Sequence, residues 1–319
     1  MQLSFSVKNE PKCKSFLEIK TPDGEYQLID EFIKAHPTIS ESDLERCIIK
    51  YRGIEKTYKQ EVDDYVAFSE TMKFVKFVPP MLIADQSIKP VIYFAKKSIE
   101  CLQFARFFTM KSNLILDTNY NIHWSQGYVP QYLFRCIYFG TASTWYSNAF
   151  DQVLQIVYWG KELYMHASDR AGNHYEESWN PKKIMEQCKY GFVVDELKKC
   201  NDIALRECLT SCSSAIEQVR NWANYIKHKG GIDYKYLEPE NPCKFYFVPN
   251  NEHEFKIGLQ YQAPDAKYEI KDFKSPIEID IDDKIPELVK VHAAIHDCIE
   301  KVIGDMNFAR YAIKVESIV

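Results

Sequence analysis

Apolar residues recur at intervals of three and four through two long stretches, 141–166 and 195–228, and this period commits the middle of the chain to helices. In the first stretch Phe150, Val153, Leu154, Val157 and Tyr158 share a face that Leu163 extends. In the second, which runs in one piece or two, Ala215, Ile216, Val219, Trp222, Ala223 and Ile226 line one side. Glu217, Asn221, Asn224 and His228 line another, so the helix has one side to bury and one to offer to solvent, a cleft or a partner. Further helices are predicted from start and stop signals. Ser40-Glu41-Ser42-Asp43 opens one that carries Leu44, Ile48 and Ile49, and Val62–Val78 forms another that Pro79-Pro80 stops. Pro90 opens a long helix, Pro181 restarts helical structure after a polar connector, and Pro286 opens the last helix, with Leu288, Val291, Ile295 and Ile299.

Alternation with period two marks the two ends of this helical body. Leu3, Phe5 and Val7, then Phe16, Leu17 and Ile19, with a turn at Pro22-Asp23-Gly24, predict an N-terminal hairpin. Lys244–Val248, Phe255–Leu259, Tyr268–Ile270 and Ile277–Ile281 predict three or four short antiparallel strands, which pair with that hairpin if the chain ends meet. The expected fold is mainly α, a helical bundle with a small antiparallel β-sheet extension. Its expected parts are a hairpin at 1–39, the bundle at 40–238, the sheet at 239–285 and a C-terminal helix and tail at 286–319.

Composition removes several classes of function. With 319 residues the chain can bury a large core. A net charge of -5 provides no protein-wide basic field, so any nucleic-acid contact must come from a local patch. Aromatic residues reach 14%, which large aromatic cores explain more simply than base-stacking surfaces do. The 10 cysteines are scattered from Cys13 to Cys298 without a disulfide framework. No signal-like N-terminus and no membrane-length apolar run is present, so reduced thiols, a cytoplasmic location and no membrane association are expected. Only 11 glycines occur, and neither the phosphate-cradling loops nor the Gly-x-Ser-x-Gly elbow is found.

The segment Arg220-Asn221-Trp222-Ala223-Asn224-Tyr225-Ile226-Lys227-His228-Lys229-Gly230-Gly231 carries the clearest chemistry. Basic residues followed by a glycine pair are an ordinary helix ending, because cations suit the negative end of the dipole and glycine suits the left-handed stop. The same residue types also serve metal-free RNA cleavage. That reaction needs a group near neutral pKa to move a proton, which histidine supplies, and fixed positive charge on the phosphate, which the planar fork of arginine supplies. Asp151, in an aromatic-rich helix, is placed either to orient Arg220 or His228 or to sit as a simple surface acid.

Arg220-Asn221 followed by Lys227-His228-Lys229-Gly230-Gly231 resembles the signature region of HEPN-superfamily helical proteins, and Trp145–Val153 is similar to the aromatic, acid-bearing helix found earlier in such domains. The resemblance covers about residues 130 to 231. It implies a helical bundle that dimerises through the motif helices and binds RNA or nucleotide, in many members as a metal-independent endoribonuclease of prokaryotic defence or toxin–antitoxin systems. Arg220 and His228 would then be catalytic, with Asn221, Asn224, Lys227, Lys229 and Asp151 on the substrate and no metal or cofactor. Seven residues separate Arg220 from His228, more than in the family's pattern. On one continuous helix the pair lies about 12 Å apart along the axis and about 80° apart in direction, so a shared phosphate needs long reach, an uncoiled last turn or a second copy. The alternative role is a non-catalytic interaction module, in which the same helix forms a homodimer or meets another protein.

Three other clusters bear chemistry. His292 and His296, four apart, begin a zinc-like pattern, but position 293 is alanine and the His-Glu-x-x-His form fails. Cys208 and Cys212 are also four apart, too few ligands for zinc alone. His166, Asp169, Arg170 and His174 gather in a polar connector of the kind that surface loops often contain.

Overall fold

A computed structural model describes residues 17–20, 24–28, 31–32, 35, 45, 47–79, 86–116, 128–229, 232–237, 245–249, 255–259 and 277–308. The chain is mainly helical and divides into two units, each assembled from separated segments. The first comprises residues 1–61, 115–136 and 231–281, and the second residues 62–114, 137–230 and 282–319.

In the first unit β1 (Leu17–Lys20), β2 (Tyr26–Leu28), β3 (Ile48–Tyr51) and β4 (Ile54–Thr57) form one antiparallel sheet in the order β2-β1-β3-β4. Leu17 lies opposite Tyr51 and Ile19 opposite Ile49, and all four side chains are buried, so a period of two selects the covered face. Ile48 and Ile49 therefore belong to a strand, not to the helix expected after Asp43. The reversal at Arg52-Gly53 decides this. Both residues have positive φ (49° and 84°), which closes a two-residue hairpin and ends any helical path.

The other strands of this unit do not extend that sheet. Among the described residues β5 (Asp233–Tyr234) pairs in parallel with β8 (Glu278–Ile279), and β6 (Phe245–Pro249) pairs with β7 (Phe255–Leu259). Among the described residues the hairpin of β1 and β2 finds its partner in β3, within residues 48–57, and not in the 243–282 stretch. The expected strands at Leu3–Val7 and Tyr268–Ile270, and the expected helix start at Ser40–Asp43, lie outside the described residues.

The helices begin with α1 (Tyr58–Thr71), opened by a reciprocal capping box. The Thr57 amide donates to Gln60 Oε1 at 2.8 Å and the Gln60 amide to Thr57 Oγ1 at 3.1 Å. The expected stop at Pro79-Pro80 comes eight residues too late. Arg106 of α2 (Lys89–Asn113) donates to the carbonyls of Ser69 (2.8 Å) and Met72 (2.9 Å) and so satisfies the end of the helix. Pro90 sits in the first turn of α2 as expected.

α3 (Tyr128–Gly160) is longer than its periodic stretch, and α4 (Pro181–Glu186) starts behind an Asn180 side chain that accepts from the Lys183 amide. The 195–228 region contains three helices: α5 (Tyr190–Lys199), α6 (Ile203–Ala215) and α7 (Glu217–Lys229). The break before α6 follows from Asn201, held at φ 58°, and from Asp202, whose carboxylate accepts from the Leu205 amide. α8 runs from Ile281 to Asp305, so Pro286 lies inside the helix instead of opening it. Only the bond to the Asp282 carbonyl is lost to its missing amide proton.

The core of the second unit is the inner face of α3 together with the apolar faces of α5 to α8. Phe139, Tyr146, Phe150, Val153 and Val157 are fully buried, as are Leu209, Ile216, Ala223, Leu288 and Ile295. Lys161, just past α3, bridges Asp202 at the start of α6 (2.9 Å) and Asp305 at the end of α8 (2.8 Å), and fastens three helix ends together.

Candidate functional site

α7 presents its polar side as the sequence period requires. Ile216, Val219, Trp222 and Ala223 are buried, with Trp222 against Phe139 at a ring distance of 5.2 Å. Glu217, Asn221, Asn224 and His228 are exposed. Arg220 lies at the boundary, with its side chain 29% exposed. Its guanidinium lies over the Phe150 ring at 5.4 Å and reaches Asp151 Oδ1 at 3.4 Å. One turn earlier on α3, Asn148 Oδ1 accepts from Lys227 Nζ at 3.1 Å. Two residue pairs therefore join the polar edge of α7 to α3.

Burial raises the pKa of Asp151, and the positive charges of Arg220 and Lys227 draw it part of the way back. The acid stabilises the guanidinium in place rather than serving as an isolated surface charge. One of the five donors of Arg220 is engaged this way, which leaves the outer edge of the fork available.

An open polar groove of about 360 Å³ runs along α7 and the end of α6, lined by Ser213, Ser214, Glu217, Arg220, Asn221 and Asn224. It holds one guanidinium, one carboxylate, two amides and two hydroxyls. Such a lining offers hydrogen-bond donors and acceptors with one positive and one negative charge.

His228 does not line this groove. It is exposed two turns further along α7, about 12 Å from Arg220 by helical rise. The structure thus brings Arg220, Asn221 and Asn224 to one groove, Asp151 and Lys227 to its α3 edge, and leaves His228 apart. The Lys229 side chain and the Gly230-Gly231 pair lie outside the described residues. No family profile, curated protein or solved structure matches this chain.

The remaining clusters have structural roles or open chemistry. His292 is buried and donates from Nε2 to the Lys73 carbonyl at 2.8 Å, with Tyr146 Oη 3.4 Å from Nδ1. Burial lowers its pKa to about 4, so it is a neutral core histidine. His296 meets Asp297 through Nδ1 (3.0 Å) and Glu300 through Nε2 (3.6 Å). One ligand atom from each of these three residues lies within 4.8 Å of the others, close enough to hold a cation, but the two carboxylates are exposed and already meet the ring, and exposed acidic groups of this kind are common without a metal.

The connector residues separate. Asp169 accepts from the Ala171 and Asn173 amides and pairs with Lys183, which shapes the loop; its carboxyl is held well below the usual range, chiefly by the Asn173 side chain. His174 Nδ1 pairs with Ser168 Oγ. His166 instead meets the buried Glu196 at 2.7 Å. Burial would raise the Glu196 pKa, but hydrogen bonds from Lys199 and His166 outweigh it and lower the value. Neither Glu196 nor Cys298, whose Sγ lies 3.6 Å from Cys208 Sγ, was identifiable in advance, because 30 and 90 residues of chain separate the partners.

No helix is long and apolar enough to cross a membrane among the described residues.

Proposed function

We propose that the chain is a HEPN-like helical protein that binds RNA or a nucleotide along α7. Arg220 contacts phosphate, and Asn221 and Asn224 hydrogen-bond to base or sugar. One observation carries this: a guanidinium held by Asp151 opens onto a groove whose other walls are two amides, two hydroxyls and the Glu217 carboxylate, which leaves Arg220 as the groove's anion-binding group. Binding without strand scission is the form this geometry favours, because His228 stands outside the groove. A metal-independent endoribonuclease of a defence or toxin–antitoxin system would need His228 from the second copy of a homodimer.

Fluorescence anisotropy with a 5′-labelled oligouridylate in EDTA, followed by gel analysis of the same samples, tests the proposal. Arg220→Ala weakens binding about tenfold or more, the usual loss for a charged hydrogen bond, while His228→Ala changes it little and no product forms. Unchanged affinity in Arg220→Ala rules the groove out. Scission that His228→Ala abolishes replaces simple binding with the ribonuclease.

A further inference from the structure

We infer that the outer face of α2 and α3 is a stacking platform for unpaired bases, so that the nucleic acid held at α7 is single-stranded RNA. This rests on the RNA-binding proposal above and adds the substrate class.

Aromatic rings crowd a face that solvent reaches. On α2, Phe104 is 41% and Phe107 51% exposed. Phe104 meets Trp145 of α3 with centroids 4.9 Å apart, and Phe108 stacks on Tyr138 at 5.9 Å. Phe107 stands edge-on to Phe108 at 5.3 Å. Ordinary core packing would bury these rings, as it buries Phe139, Tyr146 and Phe150 on the opposite side of α3. An exposed apolar cluster of this size marks an interaction surface.

Its surroundings select the occupant. Lys96 and Lys111 share the outward stripe of α2 with Phe104 and Phe107; Glu100, in the same stripe, is paired with Lys97 at 2.7 Å, so three lysines against one carboxylate leave the surroundings of the rings net positive. Thr141, Thr144 and Asn148 continue the outward stripe of α3 with hydrogen-bonding groups. Asn148, one turn beyond Trp145, holds Lys227, and Asp151, one further turn on, holds Arg220. Ring faces, cations and the α7 groove therefore follow each other along a single ridge of α3. Cations tracking a backbone beside aromatic faces are the arrangement that binds single strands without reading sequence. A duplex keeps its base faces stacked internally and cannot use the rings.

The experiment compares a labelled 12-nucleotide oligouridylate with a 12-base-pair RNA duplex on the full chain, in the wild type and in Phe107→Ala, Phe107→Trp, Trp145→Ala and Arg220→Ala variants, with thermal melts as a folding control. Single strand binds about tenfold or more tightly than duplex. Phe107→Ala, at a site exposed enough to spare the fold, weakens single-strand binding about tenfold, within the range for loss of one stacked base, and Phe107→Trp restores it. If Phe107→Ala and Trp145→Ala bind as the wild type does while Arg220→Ala is still weakened, the platform is overturned and the groove stands. If the wild type binds neither RNA, both proposals fall. A homodimer in sedimentation velocity that Phe107→Ala dissociates also overturns the platform, because a second copy then covers the face.

Discussion

Single side chains control the first unit through one buried charge. Arg52 binds both oxygens of Asp280, at 3.1 and 2.8 Å, and also donates to Tyr236 Oη at 3.1 Å; the Asp280 side chain is only 3% exposed. Loss of the guanidinium leaves a carboxylate buried without its strongest partner. Arg52→Leu is expected to lower stability by about 3 kcal/mol in urea unfolding, and Asp280→Asn by less, since the guanidinium left behind is 30% exposed and water can solvate it. Equal small effects would mean that solvent reaches Asp280 freely.

His292 acts similarly in the second unit, through protonation. It faces Tyr146 and the Lys73 carbonyl, with Arg106 and His296 as the nearby positive or titrating groups. Its pKa is about 4 in the folded chain and near 6.5 when unfolded, so the unfolded state binds the extra proton between those values. This contribution is fully present above pH 6.5 and is lost as pH falls to about 4, by roughly 3 kcal/mol in all. Urea midpoints measured across that window should decline, and His292→Gln should flatten the decline. An unchanged slope in the variant would place the titration elsewhere.

At the scale of elements, ends depended on who satisfies the last backbone groups. The Thr57–Gln60 box, the Asn180 cap and the Pro90 start are local, and each opens its helix within a residue or two. α1 instead ends where Arg106, from α2, reaches back to its carbonyls, so the proline pair downstream has nothing left to stop. The β3–β4 hairpin is another local device that the helical period at Ile48 and Ile49 concealed. Gly53 has φ 84° and open space where a Cβ would stand, so Gly53→Ala meets backbone strain alone. The expected cost is about 1 kcal/mol, read as faster amide exchange in β3 and β4. Exchange unchanged across those strands would show that the turn does not limit their opening.

For the whole molecule, a net charge of -5 restricts how the proposed RNA ligand can be held. No general field attracts it, and the α7–α3 edge supplies two cations, Arg220 and Lys227. Two phosphates held at this edge alone give a slope of log K against log salt of about -1.4, and contacts to Lys96 and Lys111 beside the rings steepen it to about -2.8. A slope much steeper than that would require a larger basic surface than the edge and the platform provide.

The chain order alone determined the helical character of the middle, the two-sided pattern of α7 and the outward position of Asn221, Asn224 and His228, because a 3.6-residue period is a local property. It also put Arg220 and Asp151 among the residues of interest and offered their pairing as one of several roles for the acid. Only the tertiary structure decided that these two meet, that His228 stands outside the groove, that Ile48 and Ile49 form a strand, and that the aromatic residues of α2 divide between core and surface. Those outcomes depend on contacts between residues far apart in the chain and on which faces lose water, and neither is encoded in spacing.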